Sequence, residues 1–300
     1  MPSNDTQTGI NKNLLILHFT VFIWGFTSIL GALISITAVQ LVWYRVVIAV
    51  ISLFLYFKFN KTSFEISRAN TLQLLATGGL IGLHWIMFFA SIKLSTVSVT
   101  LVCLSSMTLF TAIFEPLINK KRISKLEIIA GILIITGILL IFKFEVKYTK
   151  AIIFGLLSAM FASLFSIINS RKVKSIDAPV IAFYEILGAF IWISLYLLVT
   201  GGLGSWLILK PADMGYLVIL GSVCTALAYV AGVSVMREFS AFKVALITNL
   251  EPVYGIILAF IIFGDMRKMT PGFWAGAAVI LSTIFLFPFA QKQIARRKSR

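Results

Sequence analysis

Stretches of roughly twenty apolar residues recur along this chain, and that recurrence limits the fold more than any single motif does. Ten such spans are read: 14–34, 39–59, 71–92, 96–118, 126–142, 152–170, 179–200, 214–236, 241–263 and 271–290. Backbone groups inside hydrocarbon must bond within their own segment, so spans of this length predict helices rather than loops or open sheet edges. Only short connections separate them, so no soluble domain is expected. Charged residues make up 12% of the 300 positions, about half the share of a soluble domain. The mean hydropathy is +1.00.

The net charge of +15 does not imply nucleic-acid binding. Lys58, Lys61, Arg68, Lys120, Lys121, Arg122, Lys125, Arg171, Lys172, Lys174, Arg237, Lys243 and the tail QKQIARRKSR fall on one side of the predicted bundle. Lys93, Lys143, Lys147, Lys150, Lys210, Arg267 and Lys268 fall on the other. Lys and Arg favour cytoplasmic loops, so both termini are expected in the cytoplasm. The basic tail is expected to attract anionic lipid heads. Cys103 and Cys224 lie in apolar spans, and His18 and His84 are the only histidines, so neither a disulfide framework nor a histidine metal site is expected. The sequon at Asn60 is read as cytoplasmic and unused.

The chain repeats itself. AVQLVWYR, from Ala38 to Arg45, aligns with APVIAFYE, from Ala178 to Glu185, and KKRISKLEIIAGILIITGILLIF with DMRKMTPGFWAGAAVILSTIFLF. Each copy holds five spans, an odd number, so the second copy enters the membrane from the opposite face. The expected fold is an all-α integral membrane protein whose ten transmembrane helices form two inverted five-helix repeats, an arrangement used by secondary transporters. The expected divisions are an N-terminal segment 1–13, repeats at 14–145 and 150–290, and a tail 291–300.

Span nine, ALITNLEPVYGIILAFIIFGD, carries Asn249, Glu251 and Pro252 within a single turn. Proline has no N–H, so the Thr248 carbonyl is expected to lose its helical donor. A carboxylate at membrane depth faces a cavity, a partner or a pathway. The bland alternative is a packing kink with Glu251 protonated or paired. By helical spacing Thr248, Glu251, Tyr254 and Gly255 share a face. Glu251 is read as a substrate-ammonium ligand or a proton carrier, with Pro252 as the bend that permits gating.

Arg45 and Glu185 occupy matching places in spans two and seven. Arg45 binds a substrate carboxylate or an outer-gate acid, or else snorkels to the interface; Glu185 serves the inner gate or is structural. Inverted symmetry places them toward opposite faces, which argues against a direct bridge. His84 suits a proton relay or a substrate hydrogen bond, and equally a satisfied core histidine. Trp24, Tyr44, Tyr229 and Tyr254 are candidate cavity walls, and Thr225 shares the face of Tyr229 and Gly232. Glu115 is expected to cap or face lipid at a helix end. Gly78-xxx-Gly82 and Gly272-xxx-Gly276 read first as close helix packing, and span three alternatively as a thin, bending wall.

These segments resemble the drug/metabolite transporter superfamily, EamA type. The resemblance rests on FTVFIWGFTSILG in span one, WYRVVIAVISLFLY in span two and NLEPVYGIILAFIIFGDMRKMTPGFWAGAAVILSTIFLF near the end, and it covers about 14–290. Gly264-Asp265 resembles the family's Gly-Glu pair. The first copy departs, with Asn119-Lys120 at that place and Met107 where the second has Pro252. The resemblance implies a central cavity walled by spans one to four and six to nine, backed by spans five and ten. It also implies export or exchange of small metabolites across a bacterial inner membrane. A polar or zwitterionic cargo is expected, amino acids first, with no cofactor, proton coupling as an option, and a monomer or homodimer in the bilayer. The alternative within the class is a drug or metabolite facilitator without proton coupling. A membrane enzyme is disfavoured: the predicted spans hold no aspartate pair and the chain no Ser-His signature.

Overall fold

Helix caps punctuate the chain where polar residues separate the apolar runs. In the computed structural model, which describes residues 11–61, 63–120, 125–201, 209–264 and 269–298, ten helical spans follow one another. They are α1 (Lys12–Leu33), α2 (Ala38–Asn60), α3 (Arg68–Leu94), α4 (Val97–Ile118), α5 (Lys125–Phe144), α6 (Thr149–Lys172), α7 (Ala178–Val199), α8 (Pro211–Arg237), α9 (Ala241–Phe263) and α10 (Pro271–Lys298). Asn11, Thr37, Ser67, Thr96 and Ser240 each accept a backbone N–H at a helix start, satisfying donors that have no partner within the helix. At the far end of α9, Gly264 takes φ +65, and its N–H closes the last turn on the Phe260 carbonyl.

Eight of the ten are long and apolar enough to cross a membrane, and α5 and α10 contain the shorter apolar stretches Ile129–Ile141 and Pro271–Phe287. With successive spans alternating in direction, α1 starts on the face bearing the N-terminus and α6 starts on the opposite one. The second five helices therefore invert the first. α10 runs on to Lys298, so the segment read as a tail continues this helix as far as described. Thr62 of the sequon, Lys121, Arg122, Asp265, Arg267, Lys268 and residues 1–10 lie outside the described residues.

Three helices are interrupted where they pass the centre of the bundle. α9 divides at Asn249, whose side chain takes over the Ala245 carbonyl at 3.0 Å. The missing N–H of Pro252 removes the rung to the Thr248 carbonyl. α4 divides at Ser105–Ser106 without a proline. Their hydroxyls turn back onto the Leu101 and Cys103 carbonyls at 3.2 and 2.6 Å, and the local bonds tighten to three-residue spacing. Both copies of this helix are thus broken near matching places by different chemistry. α8 widens into a π turn over Ser222–Leu227, where the Thr225 hydroxyl donates to the Leu220 carbonyl five residues back.

Small residues let the wall helices touch by their backbones. A Cβ on Gly78 of α3 would lie 2.2 Å from the Glu185 carbonyl oxygen of α7, and one on Gly188 would lie 2.3 Å from the Leu75 carbonyl oxygen. Gly137 and Gly276 make the same approach between α5 and α10. That pair shares an apolar cluster with α4 and α6, including Val99, Cys103, Ile152 and Phe273. The larger core belongs to the other eight helices.

Candidate functional site

Seven helices, α1 to α4, α6, α8 and α9, line a central cavity of about 780 Å³, its open mouth included; α7, expected in the wall, contributes no lining residue. α1 contributes Trp24, α2 Arg45, α3 His84 and Trp85, α8 Tyr229, and α9 Thr248 and Glu251. Phe88, Phe165 and Met107 add apolar area. Its wall runs toward the N-terminal face, ending at Met236 in the last turn of α8 and Val244 in the first turn of α9.

Arg45 is 2% exposed and sits over aromatic rings, its guanidinium carbon 4.2 Å from the Trp85 centroid and 5.6 Å from that of Phe89. The π turn of α8 presents Thr225 Oγ1 to it, and Arg45 Nε donates there. Nη1 has no hydrogen-bond partner. Glu251 is 6% exposed on the same cavity, within electrostatic reach of Arg45. Among the described residues no ion pair joins the two. A buried cation and a buried carboxylate thus stand on one cavity without closing on each other.

His84 is fixed by Ser158 of α6. The Ser158 hydroxyl donates to the His84 backbone carbonyl at 3.0 Å, so ring Nδ1, 2.8 Å from that hydroxyl and 2.9 Å from the Ser158 carbonyl, is the donor. The neutral ring then keeps Nε2 as an acceptor. Tyr229 presents its ring to the cavity while its hydroxyl donates to Glu185 Oε2 at 2.8 Å. Asn169 of α6 completes this cluster, with Nδ2 3.1 Å from Glu185 Oε2 and 2.9 Å from the Tyr229 oxygen. Glu185 is fully buried behind the wall rather than on it, its carboxyl against α6 and α8 and its backbone carbonyl in the α3–α7 seam.

The other sequence candidates lie elsewhere. Asn249 donates to Thr108 Oγ1 at 2.6 Å and ties the break in α9 to α4; with Pro252 it borders a small side pocket. Tyr254 shares a helix face with Glu251 by spacing, yet its ring meets Phe22 edge-on at 5.5 Å, and Gly25 of α1 packs against its Cβ. Tyr44 packs edge-on against Trp43 and does not line the cavity. Thr225 acts through Arg45. Glu115 caps α9 by accepting the Phe242 N–H at 2.9 Å.

Residues that sequence reasoning passed over make polar contacts at the two ends. On the face away from the N-terminus, Asp213 accepts both the N–H and the hydroxyl of Ser35, at 2.8 and 2.6 Å. Lys93 caps the end of α1 through the Ile34 carbonyl at 2.6 Å. On the N-terminal face, Asn11 and Asn13 donate to the two oxygens of Glu238 at 2.5 and 2.6 Å. Those amide donors, Asn13 foremost, hold the Glu238 carboxyl below the usual carboxylate range. Asn169 had a signal, being an amide inside an apolar run; Asp213 lay one residue outside its predicted span.

A ten-helix bundle with paired breaks around a charged, aromatic-walled cavity defines the class as a polytopic membrane protein built to hold a small solute. The chain belongs to the EamA-like transporter family, whose profile matches residues 11–143 and 149–289. It is therefore a transporter and not an enzyme. No curated protein matches it. One solved protein, known by its crystal structure, is 13% identical and superposes with a TM-score of 0.69, covering 94% of this chain and 99% of its own. That likeness concerns the fold.

Proposed function

We propose that this protein is a secondary carrier for a small polar or zwitterionic metabolite, amino acids first, working as an exporter in a bacterial inner membrane. Both termini are cytoplasmic in this reading, and residues 14–145 and 150–290 are the two repeats that rock about the cavity. The unclosed Arg45–Glu251 pair carries the proposal. A substrate carboxylate takes the free donor of Arg45, the ammonium takes Glu251, and Trp24, Trp85, Phe88 and Phe165 hold the side chain. Pairing both charges at once offsets the cost of burying each.

The Ser35–Asp213 and Lys93 contacts close the outer end in this arrangement, and the cavity wall reaches toward the cytoplasm. Release of that clamp, about the Asn11–Asn13–Glu238 contact, supplies the alternation. The basic end of α10 favours anionic lipid.

Counterflow in proteoliposomes tests the reading. Vesicles loaded with unlabelled amino acids are expected to take up labelled partners of one class, and Glu251→Gln or Arg45→Gln to abolish that uptake in folded protein. Counterflow of uncharged solutes but of no zwitterion, unaffected by either change, overturns it.

A further inference from the structure

The cluster of Glu185, Asn169 and Tyr229 has one donor too few. Glu185 Oε2 receives two hydrogen bonds, from the Tyr229 hydroxyl and from Asn169 Nδ2. Glu185 Oε1 and Asn169 Oδ1, both buried, receive none. Burying an acceptor without a donor is costly, and native structures rarely leave two in one cluster. A hydrogen on Oε1, as in a protonated Glu185, relieves that oxygen and supplies the kind of donor that Asn169 Oδ1 lacks.

We propose that Glu185 is the proton-binding site of this carrier, separate from the substrate site. Tyr229 connects the two compartments, because its ring lines the cavity while its hydroxyl bonds Glu185. Loading moves the phenolic proton to Glu185 Oε2, the phenol oxygen takes a replacement proton from hydronium in the cavity, releasing water, and a half-turn of the carboxyl group carries the new O–H to the place of Oε1. Glu185 goes from charged to neutral, and Tyr229 ends as it began.

The surroundings fit a proton better than a structural ion pair. Among the described residues, no cation reaches Glu185 from the elements packed on α7. Arg45 of α2 bonds Thr225, His84 of α3 bonds Ser158, Lys172 of α6 bonds Asn70, and Arg237 at the end of α8 pairs with Asp177. Tyr184 of α7 donates to the Phe64 carbonyl, and Glu251 of α9 lies on the cavity. Tyr229 is the titratable side chain in contact. Glu185 also stands in the half of the bundle nearer the N-terminal face, whereas Arg45 stands in the other half. Proton and substrate sites thus occupy inversion-related positions.

Two arms test this. Infrared difference spectra of purified protein, taken between acid and alkaline pH, read the carbonyl band of a protonated carboxylic acid without any substrate. The expected result is a component that disappears in Glu185→Gln, persists in Glu251→Gln and shifts in Tyr229→Phe. The absence of any component assigned to Glu185, or one that responds to sodium and not to pH, overturns the proposal. The second arm rests on the transporter reading above: with labelled amino acids as probes, Glu185→Gln is expected to keep one-for-one counterflow and lose accumulation driven by a pH gradient. Accumulation retained in Glu185→Gln overturns the proposal. Wild-type vesicles without amino-acid counterflow would sink the substrate reading alone, since the infrared arm stands apart from it.

Discussion

Arg45 shows what a single residue does when its surroundings leave one donor unused. Nε is spent on Thr225 and the guanidinium carbon sits over Trp85, which hold the group in place; Nη1 stays without a partner. Thr225→Val removes the acceptor and keeps the volume. A hydrogen bond to a buried charged group contributes about 1.5–3 kcal/mol. The variant is expected to raise the KM for exchange roughly ten- to a hundred-fold while purifying as a folded protein, since the π turn loses a single side-chain bond. An unchanged KM in counterflow would show that Thr225 does not position Arg45. The sequence brought Arg45, His84, Tyr229, Trp24 and Glu251 forward as polar or aromatic groups at membrane depth, and they do line one cavity. It could not tell Tyr254 from Glu251. They share a face by spacing, but only packing against α1 decides which of them is covered by a neighbour.

At the scale of elements, interruptions and close approaches position the site. Pro252 is legible in the sequence because its lost donor is a covalent property. The matching break in α4 is not, because Ser105 and Ser106 interrupt a helix only when their hydroxyls turn back to nearby carbonyls, which serines in continuous helices need not do. The π turn in α8 has no proline or glycine inside it to announce it. The α3–α7 seam is the most demanding contact for the proton cluster, since backbone meets backbone at Gly78 and Gly188. Gly188→Val adds a branched side chain where even a Cβ meets carbonyl oxygen and backbone carbon. Overpacking of this kind costs about 1–3 kcal/mol or more. A lowered Tm in detergent is expected, together with loss of the Glu185 infrared component as α7 moves from α3. A wild-type Tm would contradict so close a seam.

Across the whole molecule, polar contacts at the two ends join the repeats: Ser35 with Asp213 at one end, Asn11 and Asn13 with Glu238 at the other. Glu238 has its carboxyl held below the ordinary range by the two asparagines, so its contact favours the ionised form. A depressed value means that this stabilisation is complete above the ordinary carboxylate range and is lost as pH falls through the lowered value. Spin labels placed near Asn13 and Glu238 are therefore expected to keep one distance through neutral pH. They should separate only on strong acidification, a step that Glu238→Gln removes. Separation already near neutrality would mean that another group controls this face.

The sequence by itself determined that the chain is a polytopic membrane protein of ten helices, that the second five invert the first, and that it carries charge within its apolar spans. Hydrocarbon leaves the backbone no alternative to helices at that length, and an odd repeat forces the inversion. Tertiary structure alone decided which of those polar groups meet. Arg45 and Glu251 share a cavity without touching, and Glu185 turns from it to Asn169 and Tyr229. Helix rotation and approach depend on side-chain packing between segments far apart in the chain, and no local pattern encodes them.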